Sequence, residues 1–594
     1  MQAPTPRLEY KNRLVAREKT ARLLDKREDR IANLRLAVFA LGVAVAWAIW
    51  WQGFLHWLWI AFPIACFVAL AIWHDRVLRA RARARLSVKH FTRCLARVDD
   101  LWTGTGVPGI DLAPLNHPYA ADLDLFGKGS LFELLCTART RAGERTLANW
   151  LTTPATPAMI KARQEALDEL RDRVDLQEEL ALLGSDLERG VVPDVLVAWA
   201  EAPQGFASRF PRRVAYVVGV FNIGALVAWL AFGTGPSILL MGMIAAVILQ
   251  KVTGGKTRSI VESVNEPCRE LDVLAQVLSR FERETFAHGR TTQLQAALKA
   301  ENERASACIG RLDRLVRWHE SRQNQLFAPI ALMTMWDVHF AYAFENWRAR
   351  YGTKVRTWLD ALGELEAMCA LASYHYERPN DPFPEIEESG AVFAGSDLGH
   401  PLLKESGVRN SVHLGEGTRA YIVSGSNMSG KSTLLRTVGI NAVLAYAGAP
   451  VRATSLRISP MAIGATLRVQ DSIQTGDSRF YAEIRRLHQL SEISAGPLPL
   501  LFLLDEILHG TNSHDRRIGA EAVLRSFLDA GGIGLVTTHD LALTSSAEQL
   551  PGTINVHFED HIKDGQLAFD YTMRPGVVQK SNALELMRRV GLRI

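Results

Sequence analysis

Two neighbouring stretches carry no charged residue, Leu36 to Trp51 and Phe54 to Trp73, with only Gln52 and Gly53 between them. As a helix the second rises roughly 30 Å, one hydrocarbon thickness, and the first somewhat less. Trp47, Trp50, Trp51, Trp57 and Trp59 cluster at the turn and Trp73 marks the far end, the distribution of an interfacial aromatic belt. Lys26, Arg27, Arg30 and Arg35 precede the pair, while Arg76, Arg79, Arg81, Arg83 and Arg85 follow it. The positive-inside rule therefore puts both ends in the cytoplasm. A soluble hairpin buried in a core is the competing reading, and tryptophan-rich runs with basic flanks fit it poorly. A charge-rich stretch comes first and no small-residue cleavage site follows, so a cleaved signal peptide is not expected. The "RARARAR" run from Arg79 to Arg85 suits nucleic acid in isolation, but beside a bilayer a phospholipid-facing role fits better.

The pattern repeats. Val214 to Phe232, then "GTGP", then Ser237 to Leu249 form a second apolar pair, with Arg209, Arg212 and Arg213 before it and Lys251, Lys256 and Arg258 after. Its second limb is short and is expected to be tilted, shallow or re-entrant if it enters the bilayer. The expected location is the inner (cytoplasmic) membrane, multi-pass, with the remaining chain in the cytoplasm. A net charge of +5 over 594 residues is too mild to identify a nucleic-acid binder. The six cysteines are scattered without C-x-x-C spacing and read as reduced thiols, not as a disulfide or zinc framework. This organisation divides the chain into a charged N-terminal helix (1–35), a first hairpin (36–73), a basic juxtamembrane helix and linker (74–120), core helices (121–208), a second hairpin (214–249), long helices (255–376) and a C-terminal α/β module (386–594).

The chemistry lies in that last module. "AYIVSGSNMSGKSTLLRTVGI" gives an apolar strand, a glycine loop and a helix, the context a phosphate-binding loop requires. Gly425 and Gly430 let the backbone turn so that the N–H groups of Ser426, Asn427, Met428, Ser429 and Thr433 surround phosphates. Lys431 is expected to reach the β- and γ-phosphates of ATP, and the Ser432 hydroxyl to bind Mg²⁺. Further on, "PLLFLLDEILHGTNSHDR" is a buried-strand run that ends in an acidic pair. Asp505 is expected to hold Mg²⁺ through water, and Glu506 to orient or deprotonate the attacking water. "GLVTTHD" is another strand, ending in His539, a candidate γ-phosphate sensor; a lone histidine after a strand is otherwise a satisfied structural residue. Strands and helices alternate throughout, which predicts a mostly parallel sheet with ligands at the strands' carboxyl ends.

The run "LDLFGKGSLFELLCTARTRAGERTLANWLTTPATPAMIKARQEALDEL" resembles the core domain of the MutS family of DNA mismatch-repair ATPases, with Thr140, Gly143, Arg145, Leu147, Trp150 and Leu151 at the positions of a T-x-x-G-x-R-x-L-x-x-W-L helix. "RVQDSIQTGDSRFYAEIRRL" is similar to the family's G-x-S-x-F-x-x-E signature through Gly476, Ser478, Phe480 and Glu483. The resemblance implies an ABC-type P-loop ATPase fold preceded by all-α core and lever helices, into which this chain inserts transmembrane hairpins. It implies that Gly476 and Ser478 act on the nucleotide of the opposite subunit, that Gly510, Thr511, Asn512 and Ser513 form a dimer-crossing loop, and that the partners are a second copy and DNA. "GHPLL" and "GVRNSV" resemble the segment where the family contacts adenine, which brings in Val408 and Asn410. Ser478 taken alone also reads as a helix N-cap.

There are departures. Where mismatch readers carry an F-x-E domain, this chain has a charged helix and the first hairpin. Its literal match, Phe383 to Glu385, lies in a proline-bounded linker. Ser426 and Ser429 stand where most members favour proline and glycine, and "ILHGTNS" replaces the usual "IGRGTST". The function expected is a membrane-anchored, Mg²⁺- and ATP-dependent hydrolase that binds DNA as a homodimer. The competing expectation keeps the ATPase and replaces DNA with an unknown protein partner moved by a membrane-tethered switch. An ABC transporter is disfavoured, because the L-S-G-G-Q signature is missing and four short spans make a meagre translocation path.

Overall fold

The computed structural model describes residues 5–52, 56–183, 193–206, 208–265, 271–287, 289–300, 303–321, 327–467, 479–509, 511–539, 541–546, 550–563 and 566–578. Helix α1 (Pro6–Gln52) runs without a break from the charged N-terminal stretch through the first apolar run, and α2 (Ala61–Val98) does the same in reverse, so the apolar and the charged stretches form one helical hairpin. Helices α3 (Phe210–Phe232) and α4 (Ser237–Asn265) form the second hairpin. All four are long and apolar enough to cross a membrane, and within their most apolar windows only 6%, 6%, 22% and 17% of residues are buried. The short second limb anticipated for this hairpin lies inside a helix that continues to Asn265.

The arginine run from Arg79 to Arg85 lies on α2 and forms ion pairs within the hairpin. Positions four apart share a helix face, and here Arg81 and Arg85 face α1: Arg85 lies 2.9 Å from Asp25, while Arg81 bonds Asp25 at 2.6 Å and also pairs with Glu28. Arg79 pairs with Asp75. Of the run, Arg79, Arg83 and Arg85 remain exposed to solvent and Arg81 is half-buried.

Helix α5 (Trp336–Glu377) is the spine of the helical region, buried along most of its length. Helix Arg141–Thr152 crosses it closely. A Cβ on Gly143 would stand 2.7 Å from Glu366 Cβ, and one on Gly363 would stand 2.9 Å from the Ala142 carbonyl oxygen, so this crossing requires glycine on both helices. Thr140 caps the crossing helix through Gly143 N (3.3 Å), and Glu366 accepts from the N–H groups of Arg139 (2.7 Å) and Thr140 (3.2 Å). The five described cysteines are free thiols, as the scatter of cysteines suggests.

At the foot of the first hairpin Tyr10, Phe91, Cys94 and Val174 form a small buried cluster with Tyr376 packed against it. Within it Arg97 donates to Glu377 at 2.5 Å, both side chains almost wholly buried, and Tyr10 donates to the same carboxylate at 3.4 Å. Arg378 reaches Asp100 at 2.5 Å, and Asp100 accepts from the Glu405 N–H at 2.9 Å.

The α/β module holds two sheets. Strands are β1 (Glu385–Ile386), β2 (Phe393–Leu398), β3 (Asn410–Leu414), β4 (Ala420–Ser424), β5 (Ser455–Ile458), β6 (Ala462–Thr466), β7 (Leu500–Asp505), β8 (Ile533–Thr538), β9 (Thr553–Lys563) and β10 (Gln566–Pro575). The larger sheet has the order β10-β9-β4-β8-β7-β6, parallel except for β10, and the smaller is mixed, β1-β5-β2-β3. Strands β4 and β8 are buried at every position, as is β7 up to Leu504, which is why they read as unbroken apolar runs. Helices α6 (Lys431–Ala447), α7 (Arg479–Ser494) and α8 (Ser513–Asp529) accompany the sheet, and one apolar core runs from Trp102 through α5 and α6 to Phe558.

Replacing Glu377 by Gln strands a buried guanidinium, and this is expected to cost about 3–5 kcal/mol. The thermal midpoint of the detergent-solubilised chain should fall, and Arg97→Met with Glu377→Leu together should fall less than Glu377→Gln alone. Burial raises the Glu366 carboxyl from 4.5 to about 7. Because its folded pKa lies above the unfolded value, the stability it confers is complete below about pH 4.5 and is lost as pH rises through about 7. Glu366→Gln should remove that slope; a wild-type-minus-variant difference that stays level across this window contradicts the assignment.

Candidate active site

Strand β4 delivers the chain to a loop that folds back before α6 begins at Lys431. The backbone is left-handed at Gly425 (φ +148°), Met428 (φ +68°) and Gly430 (φ +106°). A Cβ on Gly425 would lie 2.9 Å from Ser429 Oγ and 3.0 Å from the Phe558 carbonyl oxygen, so the turn closes only on glycine. Lys431 is 5% exposed; its Nζ donates to the carbonyls of Gly425 (2.8 Å) and Ser426 (2.9 Å) and lies 3.8 Å from Glu506 Oε1. Burial lowers its pKa, opposed by the nearby Glu506 and Asp505 carboxylates. The hydroxyls of Ser426 and Ser429 are buried without a hydrogen-bond partner. Orphaned polar atoms of this kind inside a glycine cradle, next to a buried ammonium, fit an oxyanion such as a nucleotide phosphate.

Asp505 closes β7, directly opposite Thr537 of β8, whose hydroxyl donates to its carboxylate. Glu506 adopts φ +47° and its N–H donates to the Thr537 hydroxyl at 3.1 Å, which turns the side chain toward Lys431. His539 Nδ1 stands 3.2 Å from Glu506 Oε1, and His509 Nε2 stands 3.8 Å from Oε2. One ligand atom from each of these three residues falls within 4.8 Å of the other two, a spacing that could hold a metal ion.

One cavity of about 810 Å³ collects most of the expected residues: Val408, Asn410, Asn427, Met428, Gly430, Lys431, Ser432, Thr433, Asp505 and Glu506. Its size suits a nucleotide-sized ligand. Asn410 is fixed between Tyr571 and Met573, donating to the carbonyl of the first (3.0 Å) and accepting from the N–H of the second (2.7 Å). Thr511 follows Glu506 closely in the chain, and Asn512 caps α8 by accepting from Asp515 N at 2.9 Å, ahead of Ser513. Gly476, Ser478 and Gly510 lie outside the described residues. Glu483 of the same signature is buried and accepts from the Leu508 N–H, which ties α7 to the turn after the acidic pair.

Sequence reasoning missed Phe558 and Tyr571, which wall the cavity from β9 and β10. Nothing local marks them, since only sheet order brings them to the loop. It also passed over His400, inside the quoted "GHPLL", whose pKa burial pushes down to about 4 so that it lines the cavity as a neutral ring. Thr537 and His509 likewise sat inside quoted motifs without a role.

Comparison with known proteins follows this geometry. Residues 120–372 match the family model described as MutS domain III, and residues 421–593 match MutS domain V. Among similar curated proteins, DNA mismatch repair protein MutS 2 of Halobacterium salinarum is 33% identical over 241 residues, 39% of this chain and 27% of that protein. Endonuclease MutS2 of Thermomicrobium roseum is 34% identical over 197 residues, 32% of this chain and 24% of the relative. Endonuclease MutS2 of Thermus thermophilus is 32% identical over 239 residues, 39% and 30% respectively. The match thus spans about a quarter to a third of the length of these relatives. With a glycine cradle on β4, an acidic pair on β7, and domain matches on both sides of the linker that joins helical core to sheet, the chain belongs to the MutS family.

Proposed function

We propose that this protein is a membrane-anchored ATPase that hydrolyses Mg²⁺·ATP between two copies of itself. One observation carries the reading: Lys431, Ser432, Asp505 and Glu506 face a single nucleotide-sized cavity, with His539 against Glu506. Lys431 would hold the β- and γ-phosphates, and Ser432 and Asp505 would hold the metal, which supplies charge neutralisation. Glu506, kept in place by Thr537 and His539, would take the proton of the attacking water. The apolar side chains of Leu403, Val408 and Met428 are exposed around the cavity, Met428 at 84%, which favours a second copy covering it. Gly476 and Ser478 would come from that copy.

The two hairpins would sit in the cytoplasmic membrane, because among the described residues their most apolar windows are only 6–22% buried. DNA is the proposed partner on the strength of the family and of relatives named as DNA mismatch repair proteins. A lever surface that holds phosphates without reading bases would bind duplex or branched DNA in a strongly salt-dependent way.

Lys431→Ala should abolish binding of a fluorescent ATP analogue. Glu506→Gln should retain that binding while steady-state phosphate release falls roughly 100-fold or more; turnover at the wild-type rate would remove Glu506 from the role of base. Removing residues 36–73 and 214–249 should shift the chain from the vesicle pellet to the supernatant. DNA retention by the intact chain should fall steeply with salt, and no retention at low salt would favour the protein-partner reading.

A further inference from the structure

A second cavity, of about 240 Å³, lies where α2 meets α5 and the segment before Arg141. Five basic side chains line it, Lys89, His90, Arg93, Arg97 and Arg139, against one carboxyl group, Glu366. Their arrangement is costly as it stands. Arg97, 3% exposed, gives one nitrogen to Glu377 and leaves Nε and Nη1 buried without a partner. Arg93 donates to the Cys136 carbonyl at 2.8 Å and leaves Nε orphaned; the Nε of Arg139 is orphaned too. Glu366 forms no side-chain bond to these guanidinium groups: its Oε1 accepts from the N–H groups of Arg139 and Thr140, and its Oε2 from the Thr140 hydroxyl.

The three guanidinium groups are close enough to act on one another. Burial pushes the Arg93 pKa down to about 10, with Arg97 and Arg139 adding to the effect. Burial together with Arg139, Arg97 and Arg93 holds His90 down to about 3, a neutral ring. Unpaired charge removed from water is expensive, and packing of the arginine stems alone does not require four unpaired nitrogens on three arginines that line one cavity. An oxyanion would satisfy them with charge-assisted bonds.

We propose that this cavity is a binding site for a small soluble phosphate-class anion, a phosphate or diphosphate group. Its volume lies below the roughly 300–1,000 Å³ of sites for drug-sized ligands, which argues against a whole nucleotide. Lipid headgroups are out of reach: from Trp73 at the apolar end to Arg93, α2 runs 20 residues without a break, about 30 Å. Bound there, the anion bridges α2 to the core beside α5 and stiffens the joint between hairpin and lever.

The test uses the full chain in lipid-free detergent, carrying Lys431→Ala so that the phosphate loop does not contribute. Titration calorimetry with inorganic pyrophosphate and inorganic phosphate should show one saturable site per chain. Loss of a charged hydrogen bond should weaken it about tenfold or more in Arg93→Gln and in Arg139→Gln, while Arg139→Lys largely keeps it. Lys89→Gln, at an exposed position that leaves the fold intact, should weaken binding measurably even where the arginine variants fail to fold. No saturable binding, or binding indifferent to Lys89, Arg93 and Arg139, overturns the proposal. So does an Arg93-dependent signal seen only with phosphatidylglycerol vesicles and never with pyrophosphate, which would assign the site to lipid.

Discussion

The buried pairing of Arg97 with Glu377 joins the first apolar hairpin to the rest of the molecule. Arg97 belongs to the last turn of α2 and Glu377 is the last residue of α5, immediately before the chain turns toward the α/β module. Neither charge can be left alone in a site this dry without a penalty of several kcal/mol, so the two helix ends stay together. From there the contacts continue as direct bonds: Arg378 to Asp100, and Asp100 to the Glu405 N–H, in the loop that supplies Leu403 and Val408 to the nucleotide-sized cavity. Hairpin, lever and candidate active site are consecutive links of one bonded path.

At the other end of the path the cavity is held open by a different constraint. Left-handed residues at the loop and just after the acidic pair, Gly425, Met428, Gly430, Glu506 and Leu508, aim N–H groups and carboxylates at a common point. Such conformations persist only where neighbours over-determine them; here Thr537 from β8 and Glu483 from α7 supply the restraint. Glu483 belongs to the same signature as Ser478. One hydrogen bond thus links α7 directly to the turn that carries Glu506 and His509.

Much of this was legible in the residues because it depends on local backbone chemistry. The glycine loop, the acidic pair after an apolar strand and the four apolar helices each follow from a pattern a few residues long. What escaped was long-range. Phe558 and Tyr571 join the cavity only because β9 pairs with β4 and β10 pairs with β9 in the sheet. Asp122 looks unremarkable beside "LDLFGKGS", yet it is buried and bonds both Leu467 N (2.7 Å) and Arg486 (2.8 Å), fastening the core to the α/β module. The pairing of Arg81 and Arg85 was equally hidden, because their partner, Asp25, lies on the opposing helix. Helix α1 passes residue 35, where charged sequence gives way to apolar sequence, without a break, since helical backbone continues wherever nothing interrupts it.

The central claim is that the α/β module is held rigidly to the first hairpin through Arg97 and Glu377. Pulsed electron–electron resonance between labels at the exposed positions Arg83, on α2, and Ser526, on α8, measures this directly in the intact chain. The account predicts one narrow distance distribution in the wild-type background and a broadened one in Glu377→Gln. A distribution already broad in the wild type, and unchanged by the substitution, would contradict it.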